Sequence, residues 1–130
     1  MGYLLDTHTL LWVLSGSKRL PENVRLIIKD LNKPCFLSIA SLWEIAIKLQ
    51  LGKLFMNLSL EDLRHFCIRN RILIMPIEFE HLFILRDLPT FHGDPFDRLI
   101  ISQAIAENFI VITKDKKFKK YPVEKRWKAN

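Results

Sequence analysis

Residues 94–115 read DPFDRLIISQAIAENFIVITKD. Two elements lie end to end in this stretch. Asp94 is a strong helix cap, because its carboxylate accepts from the unpaired N–H groups of a first turn. Pro95 suits the first helical position, where its missing N–H leaves no bond unmade. The spacing predicts a helix from there to about Glu107, followed by an apolar strand from Phe109 to Thr113. An acid stands at each end of this unit: Asp97 in the first helical turn and Asp115 two residues past the strand.

The same alternation runs back to the start of the chain. Gly2 to Leu5 reads as a short buried strand ending at Asp6, followed by a helix from Thr7 to Leu14 with Thr7 as a possible cap. Leu20-Pro21-Glu22 opens a second helix through about Leu31, and Pro34 precedes a strand at Cys35 to Ser38. Ser41 to Leu51 is helical, with Leu42, Ile45, Ala46 and Leu49 on one apolar face, and Gly52 stops it. Ser59 caps a helix through about Arg69, Ile72 to Met75 is a strand, and Glu78 to Leu88 is a helix. A short edge strand is expected near Tyr121 to Glu124. Apolar strands without strict alternation, separated by helices, predict a parallel sheet covered on both faces. The expected fold is a three-layer α/β/α sandwich with four or five strands, formed as one domain over residues 1–130.

A chain of 130 residues with 49% apolar and 26% charged residues is ordinary for a globular protein. Cys35 and Cys67 lie inside apolar stretches and read as buried free thiols of a reducing compartment. No run is long enough for a membrane span, and no basic segment precedes the N-terminal apolar run, so a cytoplasmic protein without membrane contact is expected. Residues 114–130 hold eight of the 20 Lys and Arg but only two of the 14 Asp and Glu, which leaves twelve of each in the rest. The net charge of +6 is therefore a C-terminal patch. Such a patch attracts a polyanion such as RNA or DNA, or is simply solvated.

The placement of the acids carries the functional reading. Asp6 and Asp115 follow strands, so both belong at the carboxyl edge of a parallel sheet. Helices run back against the strands, so the first turns carrying Asp94, Asp97 and Glu44 start at that same edge, where open α/β sheets bind ligands. Clustered carboxylates repel one another unless a cation neutralises them. Oxygen donors without His or Cys suit Mg²⁺ or Mn²⁺. Such an ion activates water and stabilises a phosphodiester undergoing in-line displacement. Each acid also has a structural reading: Asp94 and Asp97 serve the helix cap and dipole, Glu44 pairs with Lys48, and Asp115 is a turn residue.

Four pieces of the chain resemble the PIN-domain ribonucleases, and specifically the VapC-type toxins of toxin–antitoxin pairs. They are Leu4-Leu5-Asp6-Thr7-His8, Ser41-Leu42-Trp43-Glu44-Ile45, His92 through Ala104, and Ile112 through Phe118. The resemblance spans nearly the whole chain and implies metal-coordinating acids at Asp6, Glu44, Asp97 and Asp115. Asp6 and Asp97 would be direct ligands. Asp94 matches a further acid and is read as a cap before a ligand. Thr7 and Thr113 would orient carboxylates or bound waters. The resemblance further implies Mg²⁺ or Mn²⁺, an RNA substrate such as tRNA or rRNA, arrest of translation, an antitoxin partner and a homodimer. The rivals are a nuclease of this fold acting on DNA or precursor rRNA, and a non-catalytic RNA- or protein-binding module.

Three smaller expectations remain. Trp43, Ile47 and Leu51 form a second apolar stripe, so the helix is either fully buried or shared with a partner, and contact with an antitoxin or dimer mate is the favoured expectation. His8, His65, His81 and His92 are scattered and read as structural or surface, with His92 close enough to Asp94 to reach the site mouth. Arg98 is expected to pair with an acid of the cluster or to touch phosphate.

Overall fold

The computed structural model describes residues 2–54 and 56–128, so the expected span of 1–130 reaches beyond it at both ends. Five strands form one sheet in the order β3-β2-β1-β4-β5, and every pairing is parallel. They are β1 Tyr3–Leu5, β2 Cys35–Ser38, β3 Ile72–Met75, β4 Ile110–Ile112 and β5 Lys125–Arg126. Six helices connect them: α1 Thr7–Ser15, α2 Glu22–Lys29, α3 Ile39–Gln50, α4 Leu60–Arg69, α5 Phe79–Asp87 and α6 Pro95–Glu107. A 3₁₀ turn spans Lys116–Lys120.

Alternate strand residues feed two separate cores. Tyr3, Leu5, Leu37, Ile110 and Ile112 pack with residues of α1 to α4, among them Leu10, Val24, Ile45 and Leu63. Leu4 and Val111 face the other way and pack with Ile100, Ile101 and Ala104 of α6 and with Phe118 and Tyr121. Both faces are thus covered, as the uninterrupted apolar strands require. Cys35 and Cys67 are free and buried, and burial, helped by the charge on Asp30, pushes the Cys35 thiol up to about 11.

Several boundaries differ from expectation for identifiable reasons. Asp6, not Thr7, caps α1, its carboxylate accepting from Thr9 N, while Thr7 turns inward as the first helical residue. α3 begins at Ile39 because the Ser38 hydroxyl, at the end of β2, already caps it through Ala40 N. The edge strand lies at Lys125–Arg126 rather than 121–124. Tyr121 is buried in the second core and Pro122 has no N–H, so pairing with β4 starts only where Val111 N donates to Glu124 O. Asn108 ends α6 in the left-handed region at φ 57°, which swings the chain directly into β4.

Candidate functional site

The five acids singled out in the sequence all stand at the carboxyl edge of the sheet. Asp6 follows β1 and Asp115 follows β4, Asp94 and Asp97 flank the start of α6, and Glu44 lies in the second turn of α3. Their charges act on one another. Asp97 is pushed up to about 7, chiefly by burial, then by the charges of Asp94, Asp6, Asp115 and Glu44. A carboxyl group that still holds half its protons near neutrality marks a site built with too much negative charge for its depth.

Asp6 is the most enclosed of the five, at 4% exposure. Its Oδ1 accepts from Thr9 N at 2.8 Å, and its Oδ2 accepts from Thr113 Oγ1 at 2.5 Å. Burial raises its pKa, while the hydrogen bonds from Thr113 and Thr9 pull it back down. The Thr113 oxygen in turn accepts from Asp115 N at 3.0 Å, so one hydroxyl ties the ends of β1 and β4 together. Glu44 is held at both oxygens: Thr7 Oγ1 donates to Oε1 at 2.8 Å, and Lys48 Nζ donates to Oε2 at 2.9 Å. Thr7 also shares a hydrogen bond with Ser41 Oγ at 2.9 Å.

Like Asp6, two more of these acids also have structural duties. Asp94 Oδ1 caps α6 by accepting from Phe96 N and Asp97 N, and Asp115 Oδ1 caps the 3₁₀ turn through Lys117 N. A carboxylate offers about four acceptor positions, so a capping bond leaves capacity for a further donor or a cation. Among the described residues, no three His, Cys, Asp or Glu side chains close into a ready-made metal cage. The donor set nonetheless fits a hard divalent cation: its members are carboxylates, and their repulsion adds to the burial that raises Asp97.

A cleft of about 320 Å³ opens between Asp6, Asp115, His8, Trp12 and Lys114. Lys114 Nζ and the Arg19 guanidinium both lie 5.9 Å from the Trp12 ring, which gives this rim a cationic and aromatic border. Three larger hollows contain none of the five acids: those of about 590 and 660 Å³ are mainly apolar, and one of about 560 Å³ adjoins the cleft at His8 and Trp12 and is bordered by Arg19, Lys48 and Lys53. The chemistry therefore points to the smaller cleft.

Arg98 departs from expectation. Among the described residues it pairs with no acid, and instead donates to the carbonyls of Leu88 and Pro89 and to Tyr121 Oη. The turn before α6 has backbone oxygens in need of donors, and a guanidinium in the first turn of α6 reaches several at once. His81 is fully buried, capping α5 and reaching Glu107 Oε1 at 3.0 Å. His92 reaches the site: its Nε2 lies 3.6 Å from Asp97 Oδ2. Sequence reasoning put His92 at the mouth but missed its neighbour Tyr121, for which the sequence holds no signal, and missed Ser41, which lies one helical turn before Glu44.

The chain belongs to the PIN domain family, which matches residues 3–124. Members of this family are typically nucleases, and its nucleases generally use divalent metal ions. No curated protein sequence matches the chain. Among solved structures, the fold is similar to VapBC2 of Rickettsia felis bound to a DNA fragment from their promoter, at 24% identity and a TM-score of 0.71 over 98% of this chain and 100% of that one. It is also similar to FitAcB of Neisseria gonorrhoeae, at 18% identity and 0.61 over 95% of each chain. VapBC-1 of nontypeable Haemophilus influenzae matches at 16% identity and 0.63 over 97% of each chain. At such identities the likeness establishes the fold alone.

Proposed function

We propose that this chain is the toxin of a toxin–antitoxin pair, a divalent-metal-dependent endoribonuclease that acts in the cytoplasm and arrests translation by cutting tRNA or rRNA. The observation that carries this reading is the convergence of Asp6, Glu44, Asp94 and Asp115 on Asp97 at the carboxyl edge of a PIN sheet. Asp6 and Asp97 would hold Mg²⁺ or Mn²⁺ directly, with Glu44 and Asp115 completing the set and Asp94 chiefly a cap. When bound, the ion supplies Lewis acidity for phosphodiester hydrolysis. The chain's own residues do the rest. Thr113 and Thr7 fix carboxylate orientation, and Lys114 and the basic tail hold RNA beside an otherwise repulsive pocket.

Exposed surfaces and the relatives support a protein partner. Trp43 and Leu51 are 59% and 58% exposed, and Ile47 is half-buried, so the second stripe of α3 is left for a protein partner. The relatives were solved as toxin–antitoxin complexes, which supports a cognate antitoxin here. A homodimer is part of the same reading. No helix among the described residues is long and apolar enough to cross a membrane.

The test is to map 5′-phosphate ends in total RNA after brief expression of wild type and of Asp6→Asn, and to repeat the cleavage with purified, partner-free chain in Mn²⁺ or Mg²⁺. New ends restricted to wild type and abolished by chelation support the reading. Identical RNA from both proteins, with or without metal, sinks it and leaves a binding module, whose acids would serve only as the caps seen at Asp6, Asp94 and Asp115.

A further inference from the structure

Tyr121 Oη is surrounded by three nitrogens. His92 N and Arg98 Nη1 each lie 3.2 Å away, and His92 Nδ1 lies 2.7 Å away. A backbone N–H and a guanidinium only donate, so these two fill the hydroxyl's acceptor positions. The single phenolic proton is left for His92 Nδ1, the shortest of the three contacts. His92 Nδ1 is therefore an acceptor, and the ring carries its proton on Nε2. That nitrogen is buried and has no hydrogen-bond partner among the described residues. Asp97 Oδ2 stands 3.6 Å from it, just beyond hydrogen-bond distance. Such bonds are often long before ligands bind. The ring cannot easily turn away. It packs edge-on against Tyr121 at 5.4 Å between centroids, and Arg98 pins the preceding turn through the carbonyls of Leu88 and Pro89.

We propose that His92 is a positioning residue for Asp97, its tautomer set by Tyr121 and Arg98. Its Nε2–H engages Oδ2 and so leaves Oδ1 unoccupied by this donor. The proposal rests on the metal-dependent reading above, because its consequence is a pre-oriented ligand oxygen. Donors of this kind, one step removed from a metal, characteristically change metal affinity or activity by about 10- to 100-fold.

The test measures Mn²⁺ binding to the purified chain by calorimetry, without RNA, in wild type, Asp97→Asn, His92→Phe and His92→Gln. Phenylalanine keeps the ring volume and removes both nitrogens, whereas a glutamine amide brings an N–H to where Nε2 stood. The expected result is a loss of about 10-fold or more for His92→Phe, with most of it restored by His92→Gln. Equal affinities in those two variants overturn the proposal. Unchanged binding in Asp97→Asn overturns the metal reading itself, which separates the two failures. Independently, the ring ¹⁵N shifts of His92 should report the Nε2–H form, and the Nδ1–H form would refute the relay.

Discussion

Thr113 Oγ1 donates to Asp6 Oδ2 at 2.5 Å, joining residues 107 positions apart in the chain. The bond spans the ends of the paired strands β1 and β4, and both partners are buried. It orients the most enclosed acid of the site and opposes the burial that raises its pKa.

Thr113→Val keeps the shape of the side chain and removes that donor. Asp6 is then left buried with an unmatched oxygen, and Asp115 N loses its acceptor. We expect a loss of about 1–3 kcal/mol in stability, the usual cost of orphaning a buried polar group. Cleavage should fall together with it. Urea melts and rate measurements on Thr113→Val and Thr113→Ser separate the two, since serine restores the hydroxyl. A fully stable and active valine variant would show that the bond has no role.

Asp97 predicts a pH dependence with a definite sign. Its folded pKa of about 7 lies above the ordinary 3.8, so the folded chain binds this proton more tightly than the unfolded chain does. Metal-free protein should therefore lose stability as pH rises from about 4 to about 7, and Asp97→Asn should flatten the profile while abolishing cleavage. A divalent ion must displace the same proton, so its apparent affinity should climb across that interval. Thermal melts against pH, with and without Mg²⁺, measure both effects. A profile unaltered by Asp97→Asn would contradict the assignment.

The lysines of the tail should act on substrate capture rather than on the chemical step. Lys116, Lys117, Lys119 and Lys120 are exposed and follow Asp115 directly. Changing them together to Gln should raise KM for RNA and leave kcat nearly unchanged. The dependence of KM on salt should flatten, by about 0.7 in log–log slope for each phosphate that the tail no longer neutralises. An unchanged salt slope would assign these charges to solvation alone.

Much of the architecture was legible from local pattern. The helix starting at Asp94-Pro95, the buried strand that follows it and the repeat of that unit along the chain led to a parallel sheet covered on both faces. Parallel order then brought five acids to one edge, because strand ends and helix starts share it. Boundaries were less legible where a side chain near the junction had two uses. Asp6 caps α1 and belongs to the acid cluster, and Ser38 ends a strand while capping a helix.

The sequence by itself determined the sheet class, the edge on which the acids lie and the family to which the chain belongs. The sheet class and the edge depend on periodicity, capping chemistry and strand direction, all of which act over a few residues, whereas the family was read from a resemblance carried by four motifs. Only the tertiary structure decided the partners of the acids: Thr113 on Asp6, Thr7 on Glu44, and the His92 ring held by Tyr121 beside Asp97. It also decided that Asp97 is the acid whose proton is held near neutrality. Hydrogen bonds and pKa values turn on separations of a few tenths of an ångström and on depth below the surface. Packing of distant segments sets both, and no local pattern encodes them.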